Sequence, residues 1–165
     1  MGHTAASDQP HGLFKRKTKG FVTAPVTLQL ERGRIQFFAN VLGETDPIFT
    51  DPVAARAQGY PDIVAPPSFS AVIEALANEE QRRRGELALT EVIGCDFHYL
   101  LHGEQHFTYE GLMYAGDEVV ITTRVDDFYE KRGGLLEFVV LISTIFHADR
   151  GVLVRAKRVL LHRFG

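Results

Sequence analysis

The chain has 165 residues, 45% of them apolar and 24% charged, with 18 lysines and arginines against 21 aspartates and glutamates and a formal net charge of −3. Such a composition belongs to one globular domain with its own core; it excludes a disordered or fibrous chain, and a near-balanced charge excludes the basic face of a nucleic-acid binder. The basic groups Lys15 to Lys17 with Lys19, Arg82 to Arg84, and Arg155 with Lys157 and Arg158 read as solvated surface. A single cysteine, Cys95, cannot close an intramolecular disulfide and reads as a small core residue of a reduced, cytoplasmic protein. No apolar run reaches the roughly 18 residues of a membrane span, so no membrane association is expected.

In chain order, residues 1 to about 12 read as a loose tail, and residues 1–20 as a flexible lead into one domain over 21–165. Val26 to Leu30 alternates apolar and polar residues, which predicts a short strand. Ile35, Phe38, Ala39 and Leu42 recur at helical spacing and stop at Gly43. Asp51, with Pro52 after it, predicts the capped start of a short helix ending before Gly59. Phe69, Val72, Ile73, Leu76 and Ala77 then fall at i, i+3, i+4, i+7 and i+8, predicting a long helix from about Pro67 to Arg84. Glu74 lies beside that stripe and is expected at a rim or a dimer contact.

Beyond Gly85 the character changes. Thr90 to Leu101, Gln105 to Met113, Glu118 to Tyr129, Leu135 to His147 and Val152 to His162 are strand-like runs. Short turn signals separate them, His102-Gly103 and Ala115-Gly116-Asp117 among them, which predicts antiparallel pairing of consecutive strands. His98, His102 and His106 are four residues apart but straddle strands and a turn, so no metal site is expected. No phosphate-binding glycine loop is present, and no cofactor is expected. One long helix and an antiparallel sheet of about five to six strands make an α+β domain.

The order of these elements resembles the hot dog fold, a sheet wrapped around one long helix. Gly43-Glu44-Thr45-Asp46-Pro47-Ile48-Phe49 is similar to the signature Gly-Asp-x-Asn-Pro-x-His of the MaoC-like (R)-specific enoyl-CoA hydratases and hydroxyacyl-thioester dehydratases. Ala115-Gly116-Asp117, His102-Gly103-Glu104-Gln105 and Tyr129 to Gly133 resemble the FAS1-like, or MaoC dehydratase N-terminal, branch. That branch includes the A and C subunits of the mycobacterial HadAB and HadBC dehydratases. The resemblance implies an acyl-CoA or acyl-ACP ligand and a homo- or heterodimer with a second MaoC-like hot dog subunit. In that family the signature Asp and His deprotonate a water that adds to an enoyl thioester, and an amide N–H at the start of the long helix holds the thioester carbonyl.

Carried over by position, the catalytic Asp falls on Glu44, the Asn on Asp46, the His on Phe49 and the oxyanion glycine on Pro67. An extra methylene at Glu44 misplaces a base by about an ångström, which costs on the order of 100-fold in rate. Phe49 moves no proton at any pH, and Pro67 has no N–H; one lost oxyanion donor costs about 2.7 to 4 kcal/mol of barrier lowering. The expectation is therefore a non-catalytic subunit that binds acyl thioester through Phe49, Tyr60, Pro67, Phe69 and His102. It would complete a (3R)-hydroxyacyl-CoA or -ACP dehydratase by pairing with a dyad-bearing subunit. Two alternatives stay open: an autonomous hydratase or thioesterase using Glu44 or Asp46 as base, and a homodimeric acyl-CoA or lipid-binding module.

Overall fold

The computed structural model describes residues 12–165. Its elements are a 3₁₀ turn (Arg16–Thr18), β1 (Val26–Gln29), α1 (Arg32–Leu42), a second 3₁₀ turn (Pro47–Phe49), α2 (Pro52–Ala57), α3 (Phe69–Arg83), α4 (Leu89–Val92), β2 (Leu100–Tyr109), β3 (Glu118–Lys131), β4 (Leu136–His147) and β5 (Gly151–Arg163). The five strands form one antiparallel sheet in the order β1-β3-β4-β5-β2. With α3 packed on one face of it, this is the α+β arrangement of a hot dog fold.

The helix positions follow from local chemistry. α1 ends because Gly43 takes a left-handed turn at φ 76°, where a side chain would strain the backbone. Asp51 accepts a 2.8 Å hydrogen bond from the Val53 N–H, and Pro52 occupies the first turn of α2, where a missing N–H is no loss. α3 starts at Phe69, two residues later than expected, with the Phe69 N–H held by the Pro66 carbonyl at 2.8 Å. Its stripe of Phe69, Ile73 and Ala77 packs against Val26, Ile121, Ile145 and Val154 of the sheet. Burying a Phe or Ile side chain in such a cluster stabilises the fold by about 1.5–3 kcal/mol each.

Several sequence expectations are corrected. Thr90 to Leu101 is not a strand: Leu89 and Ile93, four residues apart, bury one face of α4, and the chain then turns before entering β2 at Leu100. His102-Gly103 is not a turn either. Gly103 is a bulge inside β2, at the register shift between His102 and Glu104, and a Cβ there would lie 2.8 Å from Leu161 Cδ2. Two predicted strands thus merge into one. β2 pairs with β5 rather than with its successor β3, so residues 110–117 carry the chain from the sheet's edge to an interior strand.

Residues 1–11 lie outside the described residues, but Phe14 is buried and the Lys15 and Gly20 N–H groups donate to the Ile93 and Val125 carbonyls, so ordered chain begins ahead of residue 21. The Leu13 and Phe14 N–H groups donate to Glu137 Oε2 at 3.0 and 3.3 Å. Phe14 stacks on the buried His162 ring at a centroid distance of 3.9 Å. His162 Nε2 accepts from the Asp96 N–H at 3.0 Å, which leaves its proton on Nδ1, facing Glu137 Oε2 at 3.3 Å.

Glu74 is also corrected. It is 2% exposed, under the sheet rather than at a rim, because one turn beyond Ser70 it leans towards β4 and β5. The Ser143 hydroxyl donates to Glu74 Oε1 at 2.6 Å, and Thr123 continues the chain at 2.9 Å. Arg158, expected at the surface, turns inward with its Nη1 3.6 Å from Glu74 Oε2.

Candidate functional site

The stretch after α1 builds a groove. The Asp46 carboxylate accepts the Ile48 N–H at 3.0 Å and so launches the Pro47–Phe49 turn. Gln36 fastens the following residue by donating to the Thr50 carbonyl at 2.7 Å. Asp62 is nearly buried; two hydrogen bonds from Arg32, at 3.0 and 2.6 Å, and one from Arg56, at 3.1 Å, close it onto α1 and α2. The Arg32 hydrogen bonds, helped by the Ile63 N–H and the second guanidinium, hold the Asp62 carboxyl down at about 2.

The segment beyond Asp62 is threaded between two neighbours. The Val64 N–H donates to Ile48 at 3.0 Å, the Ala65 N–H to Met113 at 2.8 Å, and the Ala115 N–H to Ile63 at 3.0 Å. Arg150 holds the far wall from outside. It donates to the Leu112 carbonyl at 2.8 Å, pairs with Asp117 at 2.5 Å and lies 5.2 Å from the Tyr114 ring centroid. The result is a groove of about 300 Å³. Phe49, Tyr60 and Pro67 line it with Ile48, Val64 and Ala65 on one side; Tyr109, Leu112 and Met113 form the other.

Of the expected binding residues, Phe49, Tyr60 and Pro67 therefore meet in one cavity. Phe69 does not reach it. Its ring is fully buried in the main cluster, edge-on to Phe38 at 5.5 Å. His102 lies exposed on β2 opposite Leu160, away from the groove lining. Asp46 is exposed, with Oδ1 engaged by its own turn, and Glu44 follows the left-handed Gly43 with its N–H on the Ala39 carbonyl. Among the described residues the histidines close to carboxylates are His98, His106, His147 and His162, and their partners are Asp96, Glu104, Asp117 and Glu137. None of those pairs includes Asp46 or Glu44. The Cys95 thiol is half-buried against the apolar cluster of Phe14, Leu89, Ile93 and Leu141, and burial pushes it up to about 12, so it is no nucleophile at neutral pH.

The sequence did not single out Ile48, Val64 and Ala65 on the near wall, nor any of the far wall formed by Tyr109, Leu112 and Met113. The pattern predicts one strand through the last three, yet β2 ends at Tyr109 and the Glu110 and Gly111 N–H groups both donate to the Leu153 carbonyl. Gly111 was the available signal, since a Cβ there would lie 2.9 Å from Leu153 Cδ2 and only glycine lets the chain bend so close. The Tyr109 hydroxyl lies 3.3 Å from Ser70 Oγ on the first turn of α3, and burial pushes its phenol up.

Comparison with known proteins adds the following. The sequence model of the FAS1-like dehydratase domain region matches residues 17–156. A UPF0336 protein of Streptomyces griseus is 36% identical over 134 residues, covering 80% of this chain and 83% of that protein. A UPF0336 protein of Streptomyces avermitilis is 32% identical over 105 residues, 64% of this chain and 66% of the relative. Among solved structures, the C-terminally truncated HadBC (3R-hydroxyacyl-ACP dehydratase) complex of Mycobacterium tuberculosis superposes with a TM-score of 0.70 at 20% identity, over 87% of this chain and 96% of that one. The ChsH1-ChsH2 complex of the same organism gives 0.62 at 18% identity, over 87% and 89%. At these identities the two structures establish a common fold.

Proposed function

The chain belongs to the FAS1-like dehydratase family, and from that premise we propose that it is the non-catalytic, acyl-thioester-binding subunit of a heteromeric (3R)-hydroxyacyl-CoA or -ACP dehydratase. Its partner is a MaoC-like hot dog subunit that carries the Asp/His dyad. The observation that carries this reading is the Phe49 ring in the groove wall, at the place where the family signature has its histidine. Adding water to an enoyl thioester needs a base for the water and an acid for the α-carbon. No carboxylate or imidazole lines the groove to serve as that base, while its phenyl, prolyl and aliphatic walls, with the phenols of Tyr60 and Tyr109, suit an acyl chain well. Neither carboxylate of the signature lines the groove, and Asp46 has Oδ1 engaged in shaping the turn.

Pairing is supported by the edge position of β2 and by exposed Phe97 and Leu101 beside it, a surface for a second hot dog unit. The HadBC and ChsH1-ChsH2 structures are, by their names, complexes of two proteins. A cytoplasmic location fits a chain with one cysteine, and no described helix is long and apolar enough to cross a membrane.

The test is hydration of crotonyl-CoA by the purified chain alone and after co-expression with a subunit bearing Gly-Asp-x-Asn-Pro-x-His. Background turnover alone and robust turnover of the co-purified complex are expected. Vigorous hydration by the chain alone overturns the proposal. Tight acyl-CoA binding with no turnover in either sample points instead to a homodimeric acyl-binding module.

A further inference from the structure

Tyr60 and Tyr109 carry the only hydroxyls among the side chains lining the groove. Tyr60 turns its ring towards Tyr114, 6.1 Å away between centroids. Tyr109 stands on the last position of β2, opposite Val154 of β5, and meets α3 through the fully buried Ser70. Both members of that pair sit on regular elements, so the hydroxyl is held in place by the scaffold and not by a loop. Two of the amides at the start of α3 are committed elsewhere. Pro67 has none, the Phe69 N–H is spent on Pro66 at 2.8 Å, and the Ala71 N–H on Ser68 at 3.0 Å.

We infer that the Tyr109 hydroxyl, backed by Ser70, is the hydrogen-bond donor that takes the thioester carbonyl of an acyl group lying in the groove, in the role the family gives to a main-chain amide. This rests on the acyl-thioester reading above and adds the atom that orients the ligand. In the free groove one of the two hydroxyls donates to the other at 3.3 Å. On binding, the phenol O–H turns to the carbonyl oxygen and the Ser70 O–H donates to the phenol oxygen; no covalent bond changes. A phenol that burial keeps protonated remains a donor throughout the neutral range. Tyr109 is 37% exposed and Ser70 is 0% exposed, so the first faces the ligand and the second anchors it.

The experiment compares decanoyl-CoA with its thioether analogue S-decyl-CoA, which has the same chain and nucleotide but no carbonyl, by calorimetry on the full chain. The wild type is expected to prefer decanoyl-CoA by about 5- to 10-fold, the size of one net hydrogen bond. Tyr109→Phe removes only the hydroxyl and should bring the two affinities together; Ser70→Ala should reduce the preference part of the way. Equal affinities in the wild type overturn the inference, whatever the variants do. A preference that persists in folded Tyr109→Phe also overturns it and assigns the carbonyl to another donor, such as the Ser68 or Ser70 amide. Should Tyr109→Phe fail to fold, Ser70→Ala decides, and an unchanged preference there counts against the Ser70-backed donor. Binding of neither probe refutes the acyl-thioester reading itself, a different result from either of these.

Discussion

Two successive turns of α3 face opposite kinds of surroundings. The first, around Ser70, adjoins a groove whose lining holds no carboxylate, imidazole, lysine or arginine, only the phenols of Tyr60 and Tyr109 among carbon walls. One turn on, Glu74 is closed in beneath the sheet, with the Ser143 and Thr123 hydroxyls in line and the Arg158 guanidinium near its second oxygen. The charged machinery is thus architectural, while the face offered to a ligand is dry. A hydro-lyase acting alone needs the reverse distribution, with its proton-transferring groups on the open side.

The strongest way to break this contrast is at Glu74. Glu74→Ala leaves Arg158 and Ser143 buried without their partner and should destabilise the fold by about 3–5 kcal/mol in urea melts. A loss under about 1 kcal/mol would show that the charge is dispensable to the architecture. On the groove side, Phe49→Ala removes a wall and should weaken acyl-CoA binding by about tenfold. Phe49→His should keep most of that affinity and still leave crotonyl-CoA hydration at background, because the dyad's carboxylate position holds Glu44, one methylene too long, and Asp46 Oδ1 is engaged by its own turn. Appearance of turnover would mean that one imidazole suffices and that the site is a single substitution from catalysis.

Smaller effects sharpen the comparison at the clamp between the helices. Asp62 has a folded pKa of about 2, below the usual carboxylate value of about 3.9. A depressed folded value means stability that is fully present above about pH 4 and is lost as the pH falls towards 2. Asp62→Asn should therefore cost about 1 kcal/mol at neutral pH, after allowance for the half-exposed guanidiniums, and flatten the melting temperature profile between pH 4 and 2. Least of all, Asp46→Ala removes one exposed cap and should cost about 0.5–1 kcal/mol, measured by thermal melts.

The helical half was legible because its signals are local. Gly43, the Asp51-Pro52 pair and the i, i+3, i+4 stripe from Phe69 each act within a few residues, and each marks a boundary to within two positions. Glu74 shows the limit of the same reasoning: a residue beside the stripe is buried or exposed according to which strand rises next to it. In the sheet half, β-branched Thr90, Val92 and Ile93 favoured a strand, but burial of Leu89 and Ile93 on one side decided for a helix. Gly103 carries two meanings, turn or bulge, and only the register with β5 separates them. Three of the nine lining residues were readable, since Phe49, Tyr60 and Pro67 belong to the one stretch between α1 and α3. The opposite wall depends on β2 crossing the sheet to meet β5, a pairing some 50 residues apart in sequence that no local pattern announces.

The docking of Leu13 and Phe14 onto Glu137 and His162 bears on how the molecule acquires its shape. Those hydrogen bonds join positions 124 and 123 residues apart, so the leading segment emerges long before its seat exists. Contacts of such wide sequence separation form slowly, and this ring must close after β4 and β5 have come together. Refolding should finish with a late step in which the Phe14 side chain is withdrawn from water, and the order of synthesis and the order of assembly run in opposite directions at that end.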